Sequence, residues 1–160
     1  MRHLVITIGC EYGAKGNAIG RKIAEDLNIK FYNRELVDEI IEEVGIPKKI
    51  MENCVIIGRS SDYILKDSDK INLLRAFIYA PDDVRIHNIM ESHNLTEKDA
   101  EILLLEKDKR YHKRHLALTG SNRGDRHNRN ILIDSSYLGT EGTADYIEEL
   151  VRRKFGSGEE

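Results

Sequence analysis

Residues 4–27 read LVITIGCEYGAKGNAIGRKIAEDL, and the pattern changes character twice along them. Residues 4–8 form a short, nearly continuous apolar run rich in β-branched side chains and ended by Gly9. Such a run is a strand buried on both faces, as in a parallel sheet. Over residues 17–27, Ala18, Ile19, Ile23, Ala24 and Leu27 recur at the spacing of one helix face. Between strand and helix lies Gly9-Cys10-Glu11-Tyr12-Gly13-Ala14-Lys15-Gly16-Asn17, a glycine-rich turn.

A phosphate-binding loop needs that context. Glycines let the chain curl with successive N–H groups pointing inward, a lysine reaches the outer phosphates, and a helix N-terminus stands behind. The pattern GxxxxGK[ST] places lysine six residues after its first glycine, and Gly9 to Lys15 keeps that spacing. Ala14 replaces the second glycine, and Gly16 and Asn17 stand where a hydroxyl would approach Mg²⁺. Similar turns occur in α/β proteins that bind nothing, so the loop alone leaves phosphate binding and a plain structural turn both open. A dinucleotide fold is disfavoured, because GxGxxG is absent and no acid follows the second strand at the ribose-reading position.

Working outward, residues 29–32 predict a second strand, 35–44 a helix stopped by Gly45 and Pro47, and 54–57 a third strand ended by Gly58. A helical segment follows at 60–65 and a fourth strand at 73–79. Pro81, Asp82 and Asp83 start a helix carrying Val84, Ile86, Ile89 and Met90. Thr96, with Glu97 and Asp99 behind it, opens another. Residues 119–130 read as loop, 131–133 as a fifth strand, 143–155 as the closing helix and 156–160 as a disordered tail. Strands alternating with helices imply a parallel α/β sheet with right-handed crossovers in one domain over residues 1–155.

The composition of the 160 residues, 40% hydrophobic and 33% charged, suffices for a core and excludes a fibre. No apolar run approaches the roughly 20 residues of a spanning helix, and the N-terminal apolar stretch is too short for a signal peptide. The chain reads as cytoplasmic. Cys10 and Cys54 form no CxxC pair and are expected as reduced, packed thiols. Within a net charge of -3, residues 106–129 carry eight Lys or Arg against three acids, a local +5. An acidic body with one basic segment suggests a local anion site rather than a nucleic-acid surface. His112, His115 and His127 match no strong zinc spacing, and Asp134 reads as a turn cap.

Five blocks together resemble the cytidylate kinase-like proteins, a branch of the P-loop nucleoside monophosphate kinases. They are ITIGCEYGAKGNAIGRKIAEDLNIKFYNRELV at 6–37, CVIIGRSSDYIL at 54–65, FIYAPDDVRIHNIMESHNLTEKDAE at 77–101, KDKRYHKRHLALTG at 107–120 and ILIDSSYLGTEGTADYI at 131–147. The resemblance implies a three-layer P-loop kinase-like core, with a five-stranded parallel sheet and a helical basic lid at about 95–125. It implies ATP phosphates on Gly13, Ala14, Lys15, Gly16 and Asn17, with Mg²⁺ near Asn17. The branch pattern resembles GSGG without a lysine, so Lys15 restores a feature of the wider kinase class.

By the same resemblance Arg59 would hold the acceptor phosphate, and Arg110 and Arg114, at one-face helical spacing, would close over the transferring group. Ser60 stands where cytidylate kinases place an acid, the third strand ends without a Walker-B-like aspartate, leaving Asp62 as a substitute, and the acceptor region at about 45–54 is shortened. Two functions stay open. One is ATP-dependent phosphoryl transfer to a nucleoside monophosphate, (d)CMP by the resemblance. The other is nucleotide binding or regulation without turnover.

Overall fold

A computed structural model describes residues 2–43 and 52–156. Five strands, β1 (His3–Cys10), β2 (Lys30–Tyr32), β3 (Cys54–Ile57), β4 (Ile71–Tyr79) and β5 (Ile131–Asp134), form one sheet in the order β2-β3-β1-β4-β5. Every pairing is parallel, with Val5 opposite Cys54 on one side of β1 and Leu73 on the other. The helices are α1 (Gly16–Asp26), α2 (Arg34–Glu43), α3 (Ser61–Leu65), α4 (Asp82–His93), α5 (Glu97–Thr119) and α6 (Ser135–Phe155). The shortened acceptor region expected at 45–54 lies outside the described residues except at its C-terminal end, and so does the tail beyond Gly156.

Burial explains why the central strands read as unbroken apolar runs. Alternate residues of β1 face opposite layers, and both layers are dry. Ile6 and Ile8 pack with Ile19 and Ile23 of α1 and Ile147 and Val151 of α6. Val5 packs with Val37 of α2, Ile56 and Leu65 of α3 on the other face. A third cluster, Ile89, Ala100 and Leu104, joins α4 to α5. Asn94, at φ 52, ends α4, and the Thr96 hydroxyl accepts from the Asp99 N–H to cap α5. At 23 residues α5 is about 35 Å long and carries much of the basic segment across the sheet's carboxyl edge.

The closing helix begins eight residues earlier than its expected start at 143. The Asp134 carboxylate accepts from the Ser136 N–H at 2.8 Å and its hydroxyl at 2.6 Å, so this residue caps the helix. Gly139 and Gly142 look like breakers in the sequence, but only Gly139, at φ 72, leaves helical geometry.

Candidate functional site

The loop from Glu11 to Lys15 is held from outside by its carbonyls. The Asn88 side chain donates to Gly13 O at 2.9 Å, the Ser135 hydroxyl to Ala14 O at 2.7 Å and Arg85 to Tyr12 O at 3.2 Å. Arg123 donates to Cys10 O. A trans peptide places N–H opposite C=O, so tethering carbonyls outward turns neighbouring amides inward. Among the described residues, the backbone N–H groups of Gly13, Lys15, Gly16 and Asn17 find no partner. Those of Gly16 and Asn17 are first-turn donors of α1, where the helix dipole also favours an anion.

Two positions need this backbone. Gly13 has φ 83, and a Cβ there would lie 2.8 Å from Arg85 O. A Cβ on Gly16 would lie 2.5 Å from the Cys10 Cβ. Lys15 itself adopts the left-handed region at φ 65 as the N-cap residue of α1, at the mouth of a cleft of about 490 Å³. Asn17, Asn33, Arg34, Asn88 and His93 are among the other residues around that cleft.

Tyr12 shapes the loop. Its hydroxyl hydrogen-bonds the His93 ring at 2.8 Å, and it packs beside the α4–α5 cluster. Beneath it, the buried Arg85 guanidinium donates to both Asp108 oxygens at 3.1 and 3.0 Å and to Asp82 at 2.8 Å. Loop, α4 and α5 are thus tied at one point.

Beside the loop, at the carboxyl ends of β1 and β3, a small cavity of about 40 Å³ is lined by five arginines, Arg34, Arg59, Arg114, Arg123 and Arg129, with one carboxylate, Asp62. Arg34 borders both this cavity and the cleft, so the two adjoin. Gly58, Arg59 and Ser60 occupy the left-handed region consecutively, at φ 69, 55 and 54. For the two non-glycine residues that conformation is strained, which is typical of backbone held for function. It aims Arg59 at Asp38 on α2, Nε to Oδ1 at 2.9 Å, while Arg114 approaches the same oxygen at 3.6 Å. The Ser60 hydroxyl meets His115 Nδ1 at 2.8 Å, and burial, reinforced by Arg129, lowers the His115 pKa below 6.5.

Of the residues expected from sequence, Gly13, Lys15, Gly16 and Asn17 line the cleft, Ala14 is buried within the loop, and Arg59 and Arg114 meet at the cavity. Arg110 is not brought there: it is exposed and pairs with Glu106 one turn away at 2.9 Å. Asp62 forms a buried ion pair with Arg129 instead of facing the cleft. Arg34, Arg123 and His115 also line the cavity, and no motif marks them in the sequence. Arg34 follows β2 at the carboxyl edge, the same positional signal that pointed to Arg59 after β3. Both cysteines are free and buried, and burial pushes the Cys54 thiol up to about 12.

For Mg²⁺, the cleft offers the exposed Asn17 amide and the Glu11 carboxylate, though Glu11 also accepts from the Ala80 N–H at 3.1 Å. Mg²⁺ keeps several waters and binds largely through substrate phosphates, so this sparse oxygen set fits it. Among the described residues no helix is long and apolar enough to cross a membrane.

An uncharacterized protein from Eubacterium ventriosum ATCC 27560 superimposes with a TM-score of 0.84 at 26% identity, covering 96% of this chain and 100% of that one. Shikimate kinase from Acinetobacter baumannii, solved with shikimate, gives 0.56 at 15% identity and covers 96% of each chain. A gluconokinase from Sinorhizobium meliloti 1021 gives 0.55 at 14%, covering 99% of this chain and 100% of its own. The two kinases share the fold. No curated protein matches the chain significantly. The model of the cytidylate kinase-like family matches residues 5–53 and 48–137, and with most of its length so covered, the chain belongs to the cytidylate kinase-like family.

Proposed function

We propose that this protein transfers the γ-phosphoryl group of ATP to a nucleoside monophosphate, with (d)CMP as the acceptor. Family membership and fold support kinase-type phosphoryl transfer at the coarser level. One observation carries the finer reading: an N–H-lined loop and an arginine-lined cavity adjoin across Arg34, giving neighbouring places for a donor and an acceptor phosphate. Lys15 and the loop amides hold the β- and γ-phosphates. Bound Mg²⁺, on phosphate oxygens and Asn17, would neutralise charge between them. Arg59 holds the acceptor phosphate, Arg114 closes from α5 acting as a lid, and Arg110 contributes to the outer face of that lid. Little covalent help is required, because this chemistry rests on positioning and electrostatics.

A second reading, nucleotide binding without turnover, is favoured by one contact. Asp62, the carboxylate nearest the end of β3, is neutralised by Arg129 at 2.6 Å and is not free for metal or proton work. Calorimetry with ATP and CMP, followed by an assay for ADP, separates the two. The kinase reading expects both ligands to bind, ADP to form, and Lys15→Ala to weaken ATP binding. ATP binding without CMP binding or turnover gives the second reading.

A further inference from the structure

At the opposite end of α1 from the phosphate loop, Asp26, Asp145 and Glu148 each bring a carboxylate oxygen to within 4.8 Å of the others. Asp26 is the last residue of α1, and Asp145 and Glu148 sit three apart on one face of α6. The hydrophobic packing of the two helices, through Ile19, Ile23, Ile147 and Val151, needs no acid here. Three like charges at such separations repel, and the negative end of the α1 dipole adds to the repulsion.

Glu148 supplies an independent observation. It is 6% exposed, and its Oε1 finds no hydrogen-bond partner among the described residues. Two cations touch the cluster without reaching that oxygen: Lys22 Nζ lies 2.6 Å from Asp26 Oδ2, and Arg152 Nη1 is 4.0 Å from the other Glu148 oxygen. A buried carboxylate oxygen with no donor, beside two exposed carboxylates, is the donor set of a hard cation whose remaining ligands are water.

We propose that Asp26, Asp145 and Glu148 form a binding site for a hard divalent cation that staples α1 to α6. Ca²⁺ and Mn²⁺ suit an all-oxygen set of this kind, and soft metals do not. Since α1 begins at the phosphate loop and α6 begins at Ser135, which holds Ala14 O, the staple fastens the two helices that brace the loop.

The test uses Mn²⁺ alone with the full chain and no nucleotide, so that the phosphate-dependent metal position stays unloaded. Expected are saturable one-to-one binding by electron paramagnetic resonance and a rise in Tm. Glu148→Gln should weaken Mn²⁺ binding about tenfold or more. Asp145→Asn, at an exposed position that leaves the fold intact, should weaken it similarly. Non-saturable binding, or binding unchanged in Asp145→Asn, overturns the proposal.

Discussion

Arg129 Nη1 lies 2.6 Å from Asp62 Oδ2, and the two side chains are only 2% and 5% exposed. The pair joins the segment before β5 to α3 alongside the cation-lined cavity. Removing one partner of such a pair strands the other charge in a dry site, which costs about 3–5 kcal/mol. Asp62→Asn is expected to lose stability on that scale in urea denaturation. Replacing both residues, Asp62→Leu with Arg129→Met, should cost less than Asp62→Asn alone, because no charge is left unpaired. A double variant as unstable as the sum of the singles would contradict a coupled pair.

Gly13 tests whether the loop is held from outside. Its φ of 83 and the 2.8 Å approach of a Cβ to Arg85 O leave Gly13→Ala strained on both counts. Strain of this kind costs about 1–3 kcal/mol and should displace the amides from an anion, lowering Tm and ATP affinity together. Gly124 is the control: a Cβ there meets nothing within 4 Å, so Gly124→Ala should leave both unchanged or raise Tm slightly. Equal effects from the two substitutions would mean that Arg85 does not brace the loop.

His115 predicts a pH dependence. Its folded pKa is lowered, by burial first and Arg129 second, with Arg123 and His112 adding to the same direction and Asp62 opposing it. The folded state therefore binds fewer protons than the unfolded state, and stability falls as pH drops below about 6.5 until the folded group also protonates. Glu148 has the opposite slope: its folded pKa of about 7 exceeds 4.5, so it favours folding most below 4.5 and that advantage fades as pH rises through 7. The comparison must therefore be between variants. Wild type minus His115→Gln, followed by Tm between pH 5 and 7.5, should show stability lost on acidification; a flat difference would leave the Ser60–His115 contact without a titrating role.

Much of the fold was legible because the parallel sheet is buried on both faces. Residues 4–8 and 54–57 read as central strands, and Gly58 marked the end of β3, whereas β1 runs on through Gly9 to Cys10. Gly139 was harder: one glycine in a left-handed conformation and another tolerated inside the helix look identical in sequence. The loop was legible from spacing, but not its tethering, since Asn88, Arg85 and Ser135 come from 73 to 121 residues away along the chain. Which arginines converge was equally hidden. Helical spacing places Arg110 and Arg114 one turn apart on the same face, and spacing alone does not say which turn of α5 lies level with Asp38.

That distinction yields the sharpest comparison at the site. Both side chains are more than half exposed, but Arg114 borders the cavity and approaches Asp38, whereas Arg110 is paired with Glu106 on its own helix. Hydrogen bonds to a charged ligand contribute about 1.5–3 kcal/mol, or roughly 10- to 100-fold in affinity. Exposed pairs four residues apart contribute only about 0.3–0.5 kcal/mol. Arg114→Ala should therefore weaken CMP binding by at least about tenfold, while Arg110→Ala should change it less than about threefold. Asp38→Asn tests the same geometry from the other side. It frees Arg59 and Arg114 from an internal carboxylate that competes with the acceptor phosphate, so CMP should bind more tightly. Calorimetric titration of the three variants measures all of this, and an Arg110→Ala defect as large as that of Arg114→Ala would mean that α5 rotates to bring both arginines onto the acceptor.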